Sequence, residues 1–205
     1  MPPPSLERPR LWIVAGPNGS GKSTLYDRSD IEGFGCSVWI IDPDLLTRQI
    51  QAHEGRPLLL ANLEALRRIE AWLLTSIRSY RTIGVETVLS TPKYRPMVQQ
   101  AKMLGFEIRL LYVLLRTADM NVDRVRLRVR GGGHDVAEDR IRARRERSLL
   151  QLPWFLDHAD LALIYDNSGA RPLLVGSKQD DVLVLDPAAP PAIRQALETA
   201  GCGDA

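Results

Sequence analysis

Apolar runs and longer amphipathic stretches alternate along this chain, the pattern of a mostly parallel sheet covered by helices on both faces. Leu11 to Ala15 is a first buried strand, followed by a glycine-rich segment and a helix from about Gly21 to Ser29. Val38-Trp39-Ile40-Ile41 is a second strand, ending at Asp42-Pro43-Asp44, and a short helix with Asp44 near its cap extends to about Ala52. The strongest helical signal covers Leu59 to Arg81. There Leu59, Leu63, Leu66, Ile69, Leu73, Ile77 and Tyr80 recur at spacings of three and four and mark one apolar stripe. Gly84 is expected to end that helix, with a third strand through Val85. A helix over Tyr94–Leu104, closed by Gly105, and a long strand over Glu107–Leu114 come next.

Residues 119–130 fit two patterns. Val125 to Arg130 alternates like a half-exposed strand, whereas Val122, Val125 and Val129 make a helical stripe, and we assign helix. Gly131-Gly132-Gly133 breaks it, and a heavily charged helix resumes over Val136–Leu152. This pair is expected to project as a lid over about residues 118–152. Leu161–Tyr165 is a further strand. Leu173–Val175 and Val182–Leu185 predict a terminal hairpin, with Ser177 to Asp181 between them. Pro190-Pro191 opens a last helix to about Thr199, so hairpin and helix occupy about 172–200.

The chain has 205 residues, 44% hydrophobic and 25% charged, enough for one globular domain over 1–205 with a substantial core. Its two cysteines, Cys36 and Cys202, make no disulfide framework. The opening Met1-Pro2-Pro3-Pro4-Ser5 carries no secretory pattern, and no apolar stretch approaches the roughly 18 residues that span a bilayer. A cytoplasmic protein without membrane contact is the expectation. Net charge is only +2, yet 23 of the 27 basic residues are arginine, and ten of those fall between Arg116 and Arg147. Arginine's planar fork suits phosphate oxygens. No aromatic residues interleave with these arginines, which argues against a nucleic-acid surface. Trp39, Trp72 and Trp154 read as packing residues.

Gly16-Pro17-Asn18-Gly19-Ser20-Gly21-Lys22-Ser23 matches GxxxxGK[ST] directly behind the first strand and ahead of a helix, the context a phosphate-binding loop requires. Backbone N–H groups from Gly16 through Asn18, Gly19, Ser20 and Gly21 to Thr24 must turn inward around a phosphate, which side chains at the glycines would obstruct. The positive end of the following helix adds to the attraction. Lys22 can reach the β- and γ-phosphates, and the Ser23 hydroxyl can ligate Mg²⁺. The expectation is a nucleoside triphosphate site.

Acids at strand ends are candidates for activating a nucleophile. Val38–Asp42, Leu161–Asp166 and Val182–Asp186 all end in aspartate, so the pattern alone does not choose among them. Ligands of open parallel sheets sit outside the carboxyl ends of the strands, which favours Asp42 and Asp44, about twenty residues past Lys22. Glu86 follows a short strand and can point into the same crevice, whereas Asp186 reads as a turn residue. Two acids converging near a γ-phosphate can divide the work. One deprotonates a hydroxyl, and the other fixes the substrate or Mg²⁺.

LWIVAGPNGSGKS (11–23), Ile41-Asp42-Pro43-Asp44, Glu86-Thr87-Val88-Leu89-Ser90, the stretch Arg124-Val125…Arg128-Val129…Gly132-Gly133-His134 and Asp166-Asn167-Ser168 occur in that order. Over about residues 10–170 the chain resembles the zeta-toxin family of P-loop kinases, specifically its short, single-domain branch. The resemblance implies phosphorylation of a hydroxyl of a sugar nucleotide, typically UDP-N-acetylglucosamine at its 3′-hydroxyl, with ATP or GTP and Mg²⁺. It implies Asp44 as the base, with Asp42 competing, and Glu86 beside Thr87 as the holder of the sugar. Arg124 and Arg128 would contact nucleotide phosphates, and Asn167 would lie near the nucleobase. Classical members carry a second lid arginine about where this chain has His134, so His134, Arg140 or Arg144 takes that place. The family also implies a restraining protein antitoxin. Two other readings stay open: a nucleic-acid-associated ATPase or nucleotide-dependent switch, and a kinase acting on a nucleoside, NAD or an RNA end.

Overall fold

A computed structural model describes residues 8–28, 40–133 and 135–201 of the chain. Among them seven strands form one sheet in the order β2-β3-β1-β4-β5-β6-β7. The strands are β1 (Arg10–Ala15), β2 (Ile40–Ile41), β3 (Ile83–Thr87), β4 (Glu107–Leu114), β5 (Leu161–Asp166), β6 (Leu173–Gln179) and β7 (Val182–Leu185). The first five in spatial order are parallel, and β6 and β7 add an antiparallel hairpin to β5. The helices are α1 (Lys22–Arg28), α2 (Pro43–Glu54), α3 (Leu58–Arg78), α4 (Arg95–Met103), α5 (Ala118–Arg130), α6 (Glu138–His158) and α7 (Pro191–Gly201). This is the P-loop NTPase-type architecture that the alternation of runs predicts.

β1 is central because its residues are apolar on both faces. Ile13 pairs with Val85 on one side and Leu110 on the other, and Leu11 through Ala15 are fully buried. Leu11, Ile13 and Ala15 join Ile69, Leu73 and Ile77 of α3 on one face, whereas Val14, Leu111 and Val113 meet Leu25 of α1 on the other. Trp72 and Trp154 pack against the larger cluster. Residues 29–39 and 202–205 lie outside the described residues, and with them Val38 and Trp39 of the predicted second strand, Cys36 and Cys202. No helix among the described residues is long and apolar enough to cross a membrane.

Several local expectations change. Gly84 is not a helix stop. It lies within β3, where a Cβ would come within 2.5 Å of Ile40 Cδ1 and 3.0 Å of Trp12 Cβ, so the glycine lets β2 close on β3. α3 ends instead at Arg78, and Tyr80 turns the chain at φ 53°. Its buried stripe runs through Ala61, Ala65, Ile69, Leu73 and Ile77, while Leu59, Leu63 and Tyr80 are exposed. Alanines, invisible in a search for large apolar residues, are what let α3 approach α2. α6 passes through Pro153 and continues to His158, and β6 runs on to Gln179 before turning at Asp180. The extra turn of α6 is held by Lys178, whose buried ammonium donates to the carbonyls of Leu156 (2.8 Å), Asp157 (3.2 Å) and Ala159 (2.8 Å).

Residues 119–130 are helical, as assigned. Val122 and Val125 of α5 pack on Ile141 of α6, making an arginine-rich hairpin of helices beside the glycine loop. The second half of α6 is different in kind. Leu149, Leu152, Phe155 and Leu156 belong to the main core, and Ser148 Oγ bonds the hydroxyl of fully buried Tyr112 at 3.0 Å.

Candidate functional site

The loop between β1 and α1 has the backbone that its glycines predict. Gly16, Gly19 and Gly21 all have positive φ (142°, 73° and 88°). They also fill tight places: a Cβ on Gly16 would run into Val113 O, and one on Gly21 into Asn167 Nδ2. Ser20 is fully buried, and its Oγ has no hydrogen-bond partner among the described residues. A row of inward-turned amides at a helix start is a cradle for a multiply charged anion.

Lys22 and Ser23 stand at the first turn of α1. Lys22 is buried, and its ammonium donates to Gly16 O at 2.9 Å and Pro17 O at 3.2 Å. Ser23 Oγ donates to Glu86 Oε2 at 2.9 Å, and Lys22 Nζ lies 3.7 Å from Glu86 Oε1. β3 lies beside β1 in register, Val14 opposite Glu86 and Ala15 opposite Thr87, which brings the acid to the loop. Thr87 joins in through its carbonyl, which accepts from Gly16 N at 3.2 Å. Thr24 is exposed on α1.

The second group of acids is on the same side. Asp42 is the N-cap of α2: its Oδ1 accepts from the amides of Asp44 (2.8 Å) and Leu45 (3.3 Å). Asp44, near the cap as expected, sits in the first turn, exposed, and its carboxylate has no hydrogen-bond or ion-pair partner among the described residues. Asp42, Asp44, Glu86 and Thr87 all line one cleft of about 630 Å³, together with Asn18, Arg140 and Arg144. Leu89, which lines it too, is buried at φ 58°, a left-handed conformation rare for a leucine. Leu89 N donates to Thr87 Oγ1 at 3.0 Å, so the bend after β3 is built around the threonine.

The arginine-rich hairpin meets the loop from the other flank. Arg124 donates to Asn167 O at 2.6 Å, and Asn167 Nδ2 donates to Ser20 O at 2.8 Å, tying α5, the end of β5 and the glycine loop together. Arg144 of α6 lies 3.5 Å from Asn18 Oδ1. Arg128 is one turn beyond Arg124, exposed and beside Gly133. His134 lies outside the described residues. Asp166, one of the three strand-end aspartates, is committed elsewhere: it accepts from Arg116 Nε at 2.7 Å and Ser168 N at 2.9 Å. Burial disfavours its charge, but the bonds from Ser168 and Arg116 outweigh that and hold its carboxyl below the ordinary value. Asp186 accepts from Ala188 N at 2.7 Å in a turn.

Sequence reasoning missed Asn121, fully buried on α5, whose Nδ2 donates to Asn18 O at 2.7 Å. The available signal was an asparagine on the Val122–Val125 stripe, a weak helix former on a face that should be apolar. It also missed Arg48, Asn62, Lys93 and Tyr94, which line the same cleft. No group of three or more histidines, cysteines, aspartates or glutamates among the described residues is set to hold a metal by itself. Ser23 Oγ is a hard oxygen donor beside a carboxylate at the loop. That suits a Mg²⁺ ion whose remaining ligands are phosphate oxygens and water.

Residues 11–152 match the family described as AAA domain (AAA_33). An uncharacterized protein of Haemophilus influenzae is 30% identical over 148 residues, 68% of this chain and 99% of that protein. Among solved structures, AvrRxo1-ORF1:AvrRxo1-ORF2 with sulphate ions matches with a TM-score of 0.70 at 15% identity, over 93% of this chain and 64% of the matched one. This chain therefore spans less than two thirds of that protein's length. A structure of the PezAT chromosomal toxin-antitoxin system of Streptococcus pneumoniae matches with a TM-score of 0.64 at 17% identity, over 95% of this chain and 80% of the other. At such identities the likeness is one of fold.

Proposed function

Because the chain belongs to the AAA domain family and keeps the phosphate-binding loop intact, we propose that it is a P-loop kinase moving a terminal phosphoryl group from ATP or GTP to a hydroxyl. One observation carries the reading. Glu86 touches Ser23 and sits by Lys22, and it shares a cleft with Asp44, so the triphosphate and the activating acids face one space. The AvrRxo1-ORF1:-ORF2 fold is also known with ATP.

The β-phosphate of the donor lies in the loop from Gly16 to Lys22, with the amides of Asn18, Gly19, Ser20, Gly21 and Thr24 around it. Lys22 leaves its loop carbonyls for the β- and γ-oxygens. Ser23 would hold a Mg²⁺ ion, which would supply neutralisation of phosphate charge. The acceptor occupies the cleft with its hydroxyl between Asp44 and Glu86. As its oxygen bonds to the γ-phosphorus, the bond to the β–γ bridging oxygen breaks, the proton passes to Asp44, and the nucleoside diphosphate departs. Asp44 suits the base role better than Asp42, whose carboxylate already caps α2. Arg124 and Arg128 stabilise the moving charge, and Asn167 stands at the nucleoside end. Arg140 and Arg144 supply cations across the cleft, the place that the resemblance gives to a second lid arginine.

Acids under the reacting hydroxyl and Arg48, Lys93, Arg140 and Arg144 around it fit an acceptor with its own anionic group, as a sugar nucleotide such as UDP-N-acetylglucosamine has. The folds of PezAT and of AvrRxo1-ORF1 with ORF2 come from paired systems, and a protein antitoxin closing this cleft is the corresponding proposal here. The test is incubation with γ-labelled ATP or GTP and a panel of UDP-sugars, nucleosides and dinucleotides. Label is expected on a hydroxyl of one panel member, whereas release to water alone would replace the kinase with an ATPase.

A further inference from the structure

Two asparagines brace the phosphate-binding loop from outside, and one of them belongs to the arginine-rich hairpin. A loop whose amides converge on an anion turns its carbonyls outward, and buried carbonyls need donors. Asn121 Nδ2, on α5, donates to Asn18 O at 2.7 Å, and Asn167 Nδ2, just after β5, donates to Ser20 O at 2.8 Å. Arg124 closes the circuit, its Nη2 donating to Asn167 O at 2.6 Å. α5 also lies directly on the loop. A Cβ on Gly19 would stand 2.7 Å from Asn121 O, 3.1 Å from Val125 Cγ2 and 3.5 Å from Arg124 Cβ. Asn121 is fully buried, and its Oδ1 has no hydrogen-bond partner among the described residues. Packing alone would call for an apolar side chain there, as at the neighbouring buried Val122 and Val125.

We propose that Asn121 is a positioning residue that fixes α5 to the phosphate loop, so that Arg124 stands at the loop before any nucleotide binds. The inference rests on the kinase reading, in which Arg124 stabilises the moving phosphoryl group. Asn121 and Arg124 are three residues apart and share one face of α5. The bond to Asn18 O and the close approach at Gly19 therefore place the guanidinium as well. Arg124 Nη1 comes within 3.5 Å of where a Cβ on Gly21 would stand. α5 is thus a fixed wall of the donor site, and no hinge motion is needed to deliver Arg124. A donor set in place beforehand requires no reorganisation as the phosphoryl group moves. Asparagine suits the task because its amide donates to the carbonyl without adding a charge that competes for the phosphates.

Asn121→Leu tests this, because leucine keeps the bulk beside Val122 and Val125 and removes the amide. It exchanges one buried unpaired atom, Asn121 Oδ1, for another, Asn18 O, so the melting midpoint should stay close to that of the wild type. Hydrogen exchange of the full chain, with and without the β,γ-imido analogue of ATP and Mg²⁺, gives the first readout. In the wild type the α5 amides should be equally protected in both states. In Asn121→Leu without nucleotide they should exchange about tenfold faster, the scale of one lost hydrogen bond. Wild-type protection of α5 that arises only with nucleotide would overturn the proposal. Phosphoryl transfer from γ-labelled ATP, to the acceptor that the panel identifies, gives the second readout. Asn121→Leu should lower kcat about ten- to a hundredfold, as for a group misplaced by about 1 Å, with KM for ATP changed by less than about threefold. In an Arg124→Ala background the same substitution should add little further loss. Additive losses, or native kcat in Asn121→Leu, would overturn the role through Arg124. If the Asn121→Leu melt falls, Asn121→Ala, which removes the amide without adding bulk, carries both comparisons. A wild type that neither transfers nor hydrolyses the γ-phosphate would instead remove the kinase reading, while the exchange rates without nucleotide would still decide whether Asn121 holds α5 to the loop.

Discussion

Asp42 and Asp44 are two residues apart, end the same turn and line the same cleft, yet the structure uses them differently, and replacing them one at a time separates a cap from a base. Asp42→Ala removes an acceptor shared by the amides of Asp44 (2.8 Å) and Leu45 (3.3 Å). Losing an N-cap of this kind costs about 1 kcal/mol. For a domain of this size that lowers the melting midpoint by roughly 2–4 °C. Asp44→Asn removes no hydrogen bond to its carboxylate among the described residues, so stability should stay within about 0.5 kcal/mol. If its carboxylate takes the acceptor's proton, however, turnover should fall by about 10²–10⁴-fold. The assay is initial-rate phosphoryl transfer to the acceptor that the labelled panel identifies, with thermal denaturation on the same preparations. The reasoning predicts opposite profiles: a melting shift with turnover retained for Asp42→Ala, and normal melting with turnover lost for Asp44→Asn. Near-native turnover in Asp44→Asn beside a dead Asp42→Ala would refute the assignment of the base.

Two further predictions concern how the site is held up. Lys178→Met leaves three carbonyls at the end of α6 without their buried donor, and should cost about 2–3 kcal/mol in chemical denaturation; an unchanged midpoint would mean that water replaces the ammonium. Asp166 has a folded carboxyl held below its ordinary 3.8, so its contribution is present above that value and is lost as pH falls through the lower folded one. Arg116→Ala should weaken that acid-side loss of stability in denaturation series between neutral pH and about pH 2, and parallel curves for both proteins would show that the pair contributes nothing.

Much of the architecture was legible in local pattern. Glu107–Leu114 reads as a strand because eight residues are bounded by Gly105 and by a polar turn, and its observed limits are the same. The glycine loop is legible because a phosphate cradle constrains residue type at fixed spacing, and Gly16, Gly19 and Gly21 have the positive φ that the motif demands. The helical choice for Val122, Val125 and Val129 held because Val122 and Val125 form a buried cluster with Ile141 across the hairpin, and Val129 packs against it. Where the reading failed, the deciding contact came from far along the chain. Gly84 looks like a helix stop until Ile40 and Trp12 are seen against it. The helix expected to stop at Leu152 runs on to His158, where Lys178 from β6 holds its last carbonyls.

The site divides along the same line. Sequence alone named the phosphate loop, the two acids after β2, Glu86 and the arginine-rich segment, because each is a run of residue types that chemistry restricts. Only the folded sheet decided what each carboxylate touches. Register between β1 and β3 carries Glu86 to Ser23 and Lys22, α2 claims Asp42 for its own amides, and Arg116 with Ser168 occupies Asp166. A carboxylate's contacts are the donors within about 3 Å of it, and those donors come from strands and helices that the chain brings together only on folding.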